Sequence, residues 1–594
     1  MKWREPLVVL VSSFVVVAIW IVPKGFHPGA RILGHPESDL TKHYWNLWWA
    51  HRVAVQDHAL PFYTDYLNYP SGLALYPIEP LNQIAAIVAG GWLGFPWLTN
   101  ILALFHLALA VLGMYVLVRY ETGSRPAAVV AGLMYALGSY AVWTVYVGVG
   151  ELSNLGWMPL ALFAWLRVAR EGGARHMAWA VVLFFVTAFS CWYYALFLYL
   201  FAGLLMIMDP WRGRRTLRLW GRYLVVLSLS LGAIFPIVTS FNQSYRSVPR
   251  SEEALGDYVR HRMHSQPHDN LSTRIDIKDL VLGGRDVRVR ALRNPYQGGR
   301  FVGVVLLCLA LGSLILRPRG GVRWVVCAAV MLTLGLGSRL VFGGKEIGGM
   351  LPFFVFNLGL ERYAQAMNFP ARFMMPLTLA LVAAAGISLG ALHTRLLSRG
   401  ERQRVKGLVF LVLIGLLPLG EARWRGDLPL PLPSRSIEAL PAGAWLRDHA
   451  SATAVLEIPQ AFQSLNRRAC DEVLLQQVVH QRKSAALPID RISAVVTDAR
   501  SALAARPLVG TLLRLSGVGS RGPGDGCCED ADAAHPEVRR DRDWLIEAGF
   551  GDVVITWQGM SPEHARRLRR FCTRIFGPPV FDDPLQSVFR IRGG

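Results

Sequence analysis

The stretch "HPESDLTKHYWNLWW" (residues 35–49) places two carboxylates, Glu37 and Asp39, one residue apart and directly before an aromatic, basic segment. An apolar run at 6–22 precedes it, so the pair follows the first segment that is able to enter a bilayer. Trp, Tyr, Lys and His are residues that favour the headgroup zone of a membrane. The pattern therefore predicts an interfacial helix that starts beside two acidic side chains.

The composition is that of a polytopic membrane protein. Of the 594 residues, 53% are hydrophobic and only 17% are charged. The run at 6–22 resembles a signal peptide, but no small-residue cleavage site precedes Lys24. We interpret it as a retained first helix, with cleavage as the open alternative.

Eleven apolar runs are long enough to be membrane helices, several of them only with the help of flanking residues. They cover residues 6–22, 97–118, 127–147, 152–168, 177–190, 191–208, 223–240, 301–316, 322–338, 373–394 and 405–421. With the amino terminus inside, the inside loops carry clusters of arginine that supply most of the net charge of +21. The basic balance is therefore a topology signal, and we expect no nucleic-acid partner.

Two segments decide whether the number of membrane crossings before each later loop is odd or even. One long helix over 177–208 would place the arginine cluster "DPWRGRRTLRLWGR" (209–222) outside, so two short helices that turn at "SCWYY" (190–194) are favoured. The stretch "LNQIAAIVAGGWLGF" (81–95) is short and glycine-rich, which favours an interfacial or re-entrant segment. Whether residues 78–96 cross stays open, and a crossing would invert every later segment.

The predicted architecture has two parts: a membrane domain (1–422), whose outside loop 24–96 carries the acidic pair, and a soluble periplasmic α/β domain (423–594). In the second part, strands are predicted for "ATAVLEIP" (452–459), "GDVVITW" (551–557) and "QSVFRIR" (586–592), and helices for "AGAWLRDHA" (442–450) and "SPEHARRLRRFCTRIF" (561–576). Its cysteines are Cys470, Cys527, Cys528 and Cys572. An even number permits disulfides without fixing a pairing.

The acidic pair has two interpretations. Ser38 or Asp39 would cap the amino end of the interfacial helix, where a carboxylate suits the helix dipole. Alternatively, a carboxylate at headgroup depth is well placed to take the proton of a hydroxyl acceptor, while cationic groups assist a phosphate leaving group. Residue types alone do not decide between the two.

A resemblance favours the second interpretation. An acidic pair on the first outside loop, followed by interfacial helices, resembles the GT-C superfamily of polyprenyl-phosphate-dependent glycosyltransferases, which includes oligosaccharyltransferases and protein O-mannosyltransferases. The closest likeness is to bacterial membrane glycosyltransferases of uncharacterised substrate. It rests on "DLTKHYWNLWW" (39–49), "LNYPSGLAL" (67–75), "GELSNLGWMPLALFAWLR" (150–167), "NFPARFMMPLTLALVAAAG" (368–386) and "EVLLQQVVHQRKSA" (472–485).

The resemblance implies roles for individual residues. Asp39 matches the catalytic aspartate of the superfamily, and Glu37 makes the pair a Glu-x-Asp variant. Glu151 resembles a second acidic position of metal-using members, so Asp39 and Glu151 would bind a divalent cation, Mg or Mn, if one is needed. The alternative for Glu151 is a turn residue that caps the following helix.

Basic residues on the outside are candidates for the lipid phosphate. Arg362 and Arg372, in "LERYAQAMNFPARFMMP" (360–376), precede the tenth predicted helix, and Lys42 follows Asp39 by one helical turn. Arginine forms paired hydrogen bonds to phosphate oxygens. The alternative is interfacial anchoring or pairing with Glu361.

The resemblance implies a glycosyltransferase of a bacterial inner membrane, in contact with membrane lipids. It would move a sugar from a polyprenyl-phosphate donor to a lipid, glycan or protein acceptor on the periplasmic face. One rival is a transporter or flippase for lipid-linked glycans, which would place essential charges near the membrane midplane. Another is a non-catalytic scaffold for envelope assembly, in which the acidic pair only caps a helix.

Overall fold

The apolar runs fold into helices in the computed structural model. The structure describes residues 4–75, 78–208, 214–247, 274–284, 289–290, 292–353, 370–397, 401–426, 430–438, 440–449, 453–459, 467–486, 501–517 and 535–591. The first helices are α1 (Arg4–Ile21), α2 (Leu40–Arg52), α3 (Pro80–Leu93), α4 (Phe95–Thr122), α5 (Arg125–Ala136), α6 (Ser139–Tyr146), α7 (Gly150–Ser153), α8 (Trp157–Arg170), α9 (Ala174–Ser190), α10 (Trp192–Ile207) and α11 (Arg214–Ser247). They are followed by α12 (Ile277–Val281), α13 (Val304–Leu316), α14 (Pro318–Gly335), α15 (Met374–Leu397) and α16 (Glu401–Arg425).

Five of the described helical segments are long and apolar enough to cross a membrane. They are Arg4–Ile21, Phe95–Thr122, Leu217–Phe241, Pro370–Leu396 and Val405–Arg425, and a sixth results if α5 and α6, bent by 41°, form one span. Helices α9, α10 and α13 and the segment Gly320–Gly335 are apolar but shorter. All eleven predicted runs therefore fall on helices, while their crossing of a membrane stays a prediction.

The membrane part is organised around α15, which is almost entirely buried and packs against α4, α5, α13, α14 and α16. By contrast α1, α11 and α16 leave apolar side chains exposed, among them Ile19, Phe235 and Leu413. Exposed apolar side chains on the rim of a helical bundle are what contact with lipid chains requires. The burial pattern therefore agrees with a bundle whose rim faces a bilayer.

The prediction of two helices within 177–208 is confirmed. Helix α9 ends at Ser190 and α10 begins at Trp192, with Cys191 between them in an extended conformation (φ −160°, ψ 120°). The stretch 81–95 forms most of α3, which packs on α2 and ends at Leu93, before Gly94, where φ is +78°. Whether α3 crosses the membrane stays a prediction.

The last part of the chain forms a mixed sheet with helices on both faces. Its strands are β7 (Ala454–Ile458), β8 (Phe550–Thr556), β9 (Phe581–Asp582) and β10 (Gln586–Arg590), in the order β7-β8-β10-β9. Strands β7 and β8 are parallel, and the other pairs are antiparallel. Its helices are α17 (Pro441–Asp448), α18 (Arg467–His480), α19 (Pro507–Leu515), α20 (Pro536–Glu547) and α21 (Pro562–Phe576). All three predicted strands and both predicted helices of this part form, which gives it α/β character.

One sheet face packs on α19, α20 and α21 through residues such as Leu512, Leu545 and Phe571, and the other packs on α17 through Leu446. Cys572 on α21 is a buried free thiol. The side chains of Cys470, Cys527 and Cys528 lie outside the described residues. The question of a disulfide pairing among those three stays open.

Short strands tie this part to the first loop. Strand β1 (Arg31–Leu33) pairs antiparallel with β6 (Ser434–Ser436), and two hairpins elsewhere pair β2 (Tyr63–Thr64) with β3 (Leu73–Ala74) and β4 (Arg339–Phe342) with β5 (Lys345–Met350).

The indole Nε1 of Trp45 donates a 2.8 Å hydrogen bond to Gln477 of α18. The α2 tryptophans are buried against protein. Helix α18 and the 63–75 hairpin cover them, and the depth of α2 in the membrane stays a prediction.

Candidate active site

Asp39 lies immediately before α2, but its side chain accepts no hydrogen bond from the amides of the first turn. Its Oδ1 lies 3.1 Å from Nζ of Lys42, and the Asp39 side chain is 21% exposed. The hydroxyl of Ser38, 3.5 Å from the amide of Leu40, is the nearer approximation to a cap. The capping interpretation thus loses its support at Asp39, whose carboxylate is partly open to solvent beside a lysine.

Glycines allow the Glu151 loop to approach α2 closely. A Cβ added to Gly148 would lie 2.5 Å from the side chain of Leu40, and one added to Gly150 would lie 1.8 Å from Oε2 of Glu79. Gly148 also has a φ of +62°, a conformation that favours glycine. Glu151 follows in the short helix α7 and is buried. It does not cap α8, whose first residue is preceded by Gly156.

Sequence reasoning missed the pair at the centre of this region. His43 is on α2, one turn after Asp39, and its Nδ1 lies 2.7 Å from Oε1 of Glu79. Glu79 immediately precedes α3 and is 1% exposed. A single carboxylate in the otherwise apolar "YPIEPLN" (76–82) is the only sequence signal for this pair, since its partner is 36 residues away.

Three carboxylates influence the pKa of His43. Burial by itself would lower the pKa of His43, but the charge and hydrogen bond of Glu79, with the charges of Asp39 and Glu151, raise it above the usual value. The structure therefore brings Asp39, Glu79 and Glu151 to one imidazole, although they come from three separate segments of the chain.

A cavity opens next to this cluster. It is lined by Leu33, Leu40, His43, Leu47, Glu79, Asn82, Thr99, Leu102, Ala103, Thr144, Val145, Gly148, Val149, Gly150 and Ser153. Most of the lining is apolar, and its polar side chains are those of His43, Glu79, Asn82, Thr99, Thr144 and Ser153. Asp39 and Glu151 are each the sequence neighbour of a lining residue. The cavity is thus a mostly apolar cleft that lies close to the acidic residues.

Arg372 and Glu151 lie within electrostatic range of the same two side chains. Arg372 is in the 3₁₀ turn Pro370–Phe373 that leads into α15, and its guanidinium lies 3.9 Å from the centroid of the Tyr193 ring. Both Arg372 and Glu151 interact electrostatically with Tyr140 and Cys191. The break between α9 and α10 therefore holds an arginine near the second acidic residue.

The remaining candidates are placed differently. Lys42 pairs with Asp39, while Glu37 is exposed and interacts electrostatically with His35. Arg362 lies outside the described residues. The structure thus brings Asp39, Lys42, Glu151 and Arg372 to one region and leaves Glu37 at its surface.

A metal site is not formed by these side chains alone. Within the part of the chain that the structure describes, no group of three or more His, Cys, Asp or Glu residues is arranged to hold a metal ion. Mg²⁺ is usually held by one or two carboxylates together with waters and substrate phosphates. A cation at Asp39 and Glu151 therefore stays a prediction.

The fold is similar to that of a protein of solved structure. The chain aligns over its full length with the arabinofuranosyltransferase AftD from mycobacteria, at 14% identity and a TM-score of 0.55. A mutant of AftD gives the same TM-score. The oligosaccharyltransferase of Archaeoglobus fulgidus aligns over 93% of this chain and 70% of its own, at 13% identity and a TM-score of 0.47.

The chain covers only 40% of the AftD chain. No family model matches the sequence, and neither does any curated protein. At this level of identity the likeness concerns the fold alone. The chain therefore shares the fold of AftD, which agrees with the resemblance that the sequence motifs indicate.

Proposed function

We propose that the protein is a membrane glycosyltransferase that moves a sugar from a polyprenyl-phosphate donor to a lipid, glycan or protein acceptor. Its site would face the periplasm from a bacterial inner membrane. The observation that carries the proposal is Asp39 itself: a partly exposed carboxylate, not used as a helix cap, beside a lysine and a cavity. The likeness of the fold to AftD supports it, and the resemblance assigns the catalytic aspartate of the GT-C superfamily to Asp39.

Asp39 is the proposed general base. The acceptor oxygen forms a bond to C1 of the sugar, its proton passes to the Asp39 carboxylate, and the bond from C1 to the phosphate oxygen breaks with its electron pair on that oxygen. A positioned base contributes on the order of a hundred- to ten-thousand-fold to such a step. Glu151 would help to position the reacting groups, and Glu37 would act at the rim.

Cationic groups are the proposed receptors of the phosphate. Arg372 presents a planar guanidinium suited to phosphate oxygens, with Arg362 as a further candidate. Lys42 has a double role in this scheme. It is the counter-ion of Asp39 at 3.1 Å, and an incoming phosphate would offer it a second anion and so release the carboxylate.

The test is a transfer assay with the full chain in proteoliposomes. A panel of decaprenyl-phosphate sugars, starting with pentofuranoses because of the likeness to AftD, would be offered with lipid, glycan and peptide acceptors. We expect release of decaprenyl phosphate and a labelled acceptor for at least one pair. Movement of intact donor across the bilayer with no cleavage would instead support the transporter alternative.

A further inference from the structure

The His43–Glu79 pair is held more firmly than a surface ion pair. Glu79 accepts from Nδ1 of His43 at 2.7 Å through Oε1 and from Nδ2 of Asn82 at 2.9 Å through Oε2. Oδ1 of Asn82 lies 2.7 Å from Nε2 of His106, which must therefore donate. Both oxygens of the buried carboxylate are thus engaged, and the carboxylate cannot rotate without losing a bond.

This anchoring fixes the direction of the imidazole. Since Nδ1 is engaged by Glu79, Nε2 lies on the opposite edge of the ring, and His43 lines the cavity. His43 also follows Asp39 by four positions, so the two side chains share one face of α2. The histidine and the candidate base thus lie on the same side of α2.

The electrostatic surroundings favour the imidazolium. The charged and titratable groups that face His43 are Asp39 before α2, Glu79 before α3 and Glu151 on α7, all of which raise its pKa. Lys42, the adjacent residue, is paired with Asp39. Both ring nitrogens of an imidazolium are donors, so with Nδ1 engaged by Glu79 an oxygen acceptor at Nε2 would satisfy the second N–H.

We propose that His43 is a phosphate-binding residue of the site: its Nε2–H donates a hydrogen bond to an oxygen of the donor's phosphodiester, and Glu79 is the positioning residue that holds the ring. The inference rests on the proposed function, because it takes the donor to be a lipid phosphodiester. The phosphate oxygen that receives the electron pair from the breaking C1–O bond gains negative charge during transfer. A cationic donor fixed in advance beside that oxygen stabilises it.

The test uses the full chain in detergent and the probe methyl farnesyl phosphate. This diester keeps a single charge over the range in which imidazole titrates, so only the protein contributes to the pH dependence. Binding would be measured by calorimetry from about pH 6 to about pH 9, on either side of the usual imidazole pKa. Farnesol is the uncharged control ligand. The protein variants are His43→Gln, Glu79→Gln and, as a matched control on the same helix, His51→Gln, whose Nδ1 contacts Ala86.

For the parent and for His51→Gln we expect diester affinity to fall as the pH rises through the raised pKa of His43. His43→Gln should bind the diester about 10- to 100-fold more weakly at the acid end and without pH dependence, with farnesol binding unchanged. Glu79→Gln removes the charge that raises the pKa, so the fall in affinity should move to lower pH. If the His43–Glu79 pair were purely structural, Glu79→Gln would not shift the pH midpoint of diester binding.

The inference is overturned if His43→Gln binds the diester with the parental affinity and pH dependence. If that variant does not yield folded protein, an unchanged midpoint in Glu79→Gln overturns it equally. A parent protein that does not bind the diester at all contradicts the proposed function as well. Failure of the inference and failure of the function are therefore distinguishable.

Discussion

Asp39 and Glu151 are carboxylates whose surroundings differ from those of an ordinary helix cap. Neither accepts from the first-turn amides of the helix it was expected to cap, and both act on the charge of His43. Asp39 pairs instead with Lys42, at 3.1 Å, so its surroundings are set by a side chain and not by a helix end. Their burial also differs, since Glu151 is buried and Asp39 is partly exposed. This difference favours Asp39 as the group that meets the acceptor.

Arg372 gives the first prediction at the residue scale. Arg372→Lys keeps the charge but loses the planar fork and the stacking on Tyr193 at 3.9 Å. We expect affinity for a lipid phosphodiester to fall by about tenfold, with folding retained. Arg339→Lys, in the β4–β5 hairpin, is the control and should bind like the parent. Parental affinity in both Arg372→Lys and Arg372→Ala would remove Arg372 from the site.

The sequence predicts residues whose chemistry is visible locally and misses those that depend on distant partners. Asp39, Lys42 and Arg372 are identifiable because each sits in a short motif beside an apolar run. His43 looks like one more interfacial residue, and Glu79 looks like a loop carboxylate before a proline. Their significance depends on a contact between α2 and α3 that no local pattern encodes.

At the scale of elements, the α2–α3–α7 contact depends on glycine. Gly150→Ala would place a methyl group 1.8 Å from Oε2 of Glu79, so the loop or the carboxylate must move. A displacement of about 1 Å near reacting groups costs on the order of a hundredfold in rate. We therefore predict a loss of transfer of that order, measured in proteoliposomes, in a protein that still inserts. Gly221→Ala is the control: a Cβ added there has nothing within 4 Å, so transfer should stay at the parental rate. Parental transfer by Gly150→Ala would show that this contact does not set the site.

Strand β7 carries a second prediction, concerning stability. Burial raises the pKa of Glu457 to about 8, with the Ser484 hydroxyl as its hydrogen-bond partner. The folded form therefore binds a proton that the unfolded form releases near the usual value, so stability falls as the pH rises from about 4.5 towards about 8. Glu457→Gln should remove this fall, on the order of a few kcal/mol, in thermal unfolding between these pH values. Exposed Glu547→Gln should keep the parental slope, and an unchanged slope in Glu457→Gln would contradict the assignment.

The strands β7, β8 and β10 and the helices α17 and α21 were predictable because each is a short apolar or amphipathic run with a clear period. The environment of α2 was not. Its tryptophans fit a headgroup belt by composition, yet Trp45 bonds to Gln477, more than four hundred residues later in the chain. Amino-acid composition indicates which environment a helix surface favours. Which segment of the chain covers that surface depends on the fold.

At the scale of the whole molecule, the β1–β6 pairing constrains the topology. Strand β1 follows α1, and β6 follows α16. Because the two strands are paired, residues 31–33 and 434–436 must lie on the same side of the membrane. The number of crossings between them is then even. The topology predicted from arginine clusters satisfies this condition, because ten apolar runs separate the two strands. The pairing does not say which side that is.

Cysteine accessibility tests the side. In a chain whose native cysteines are replaced, Glu438→Cys and Arg218→Cys place single thiols at exposed positions on either side of the predicted membrane. We expect a membrane-impermeant maleimide to label Glu438→Cys in intact spheroplasts and Arg218→Cys only after permeabilisation. The opposite labelling would contradict both the topology and the periplasmic site.

The most direct test of the account is Asp39→Asn in the transfer assay. Asparagine caps helices about as well as aspartate and keeps the shape of the side chain, but it cannot take a proton. We predict that Asp39→Asn inserts, binds the lipid phosphodiester and loses sugar transfer by at least about a hundredfold, whereas Glu37→Gln, at the exposed rim, loses less. Near-parental transfer by Asp39→Asn would contradict the account and return Asp39 to the role of a residue that begins a helix.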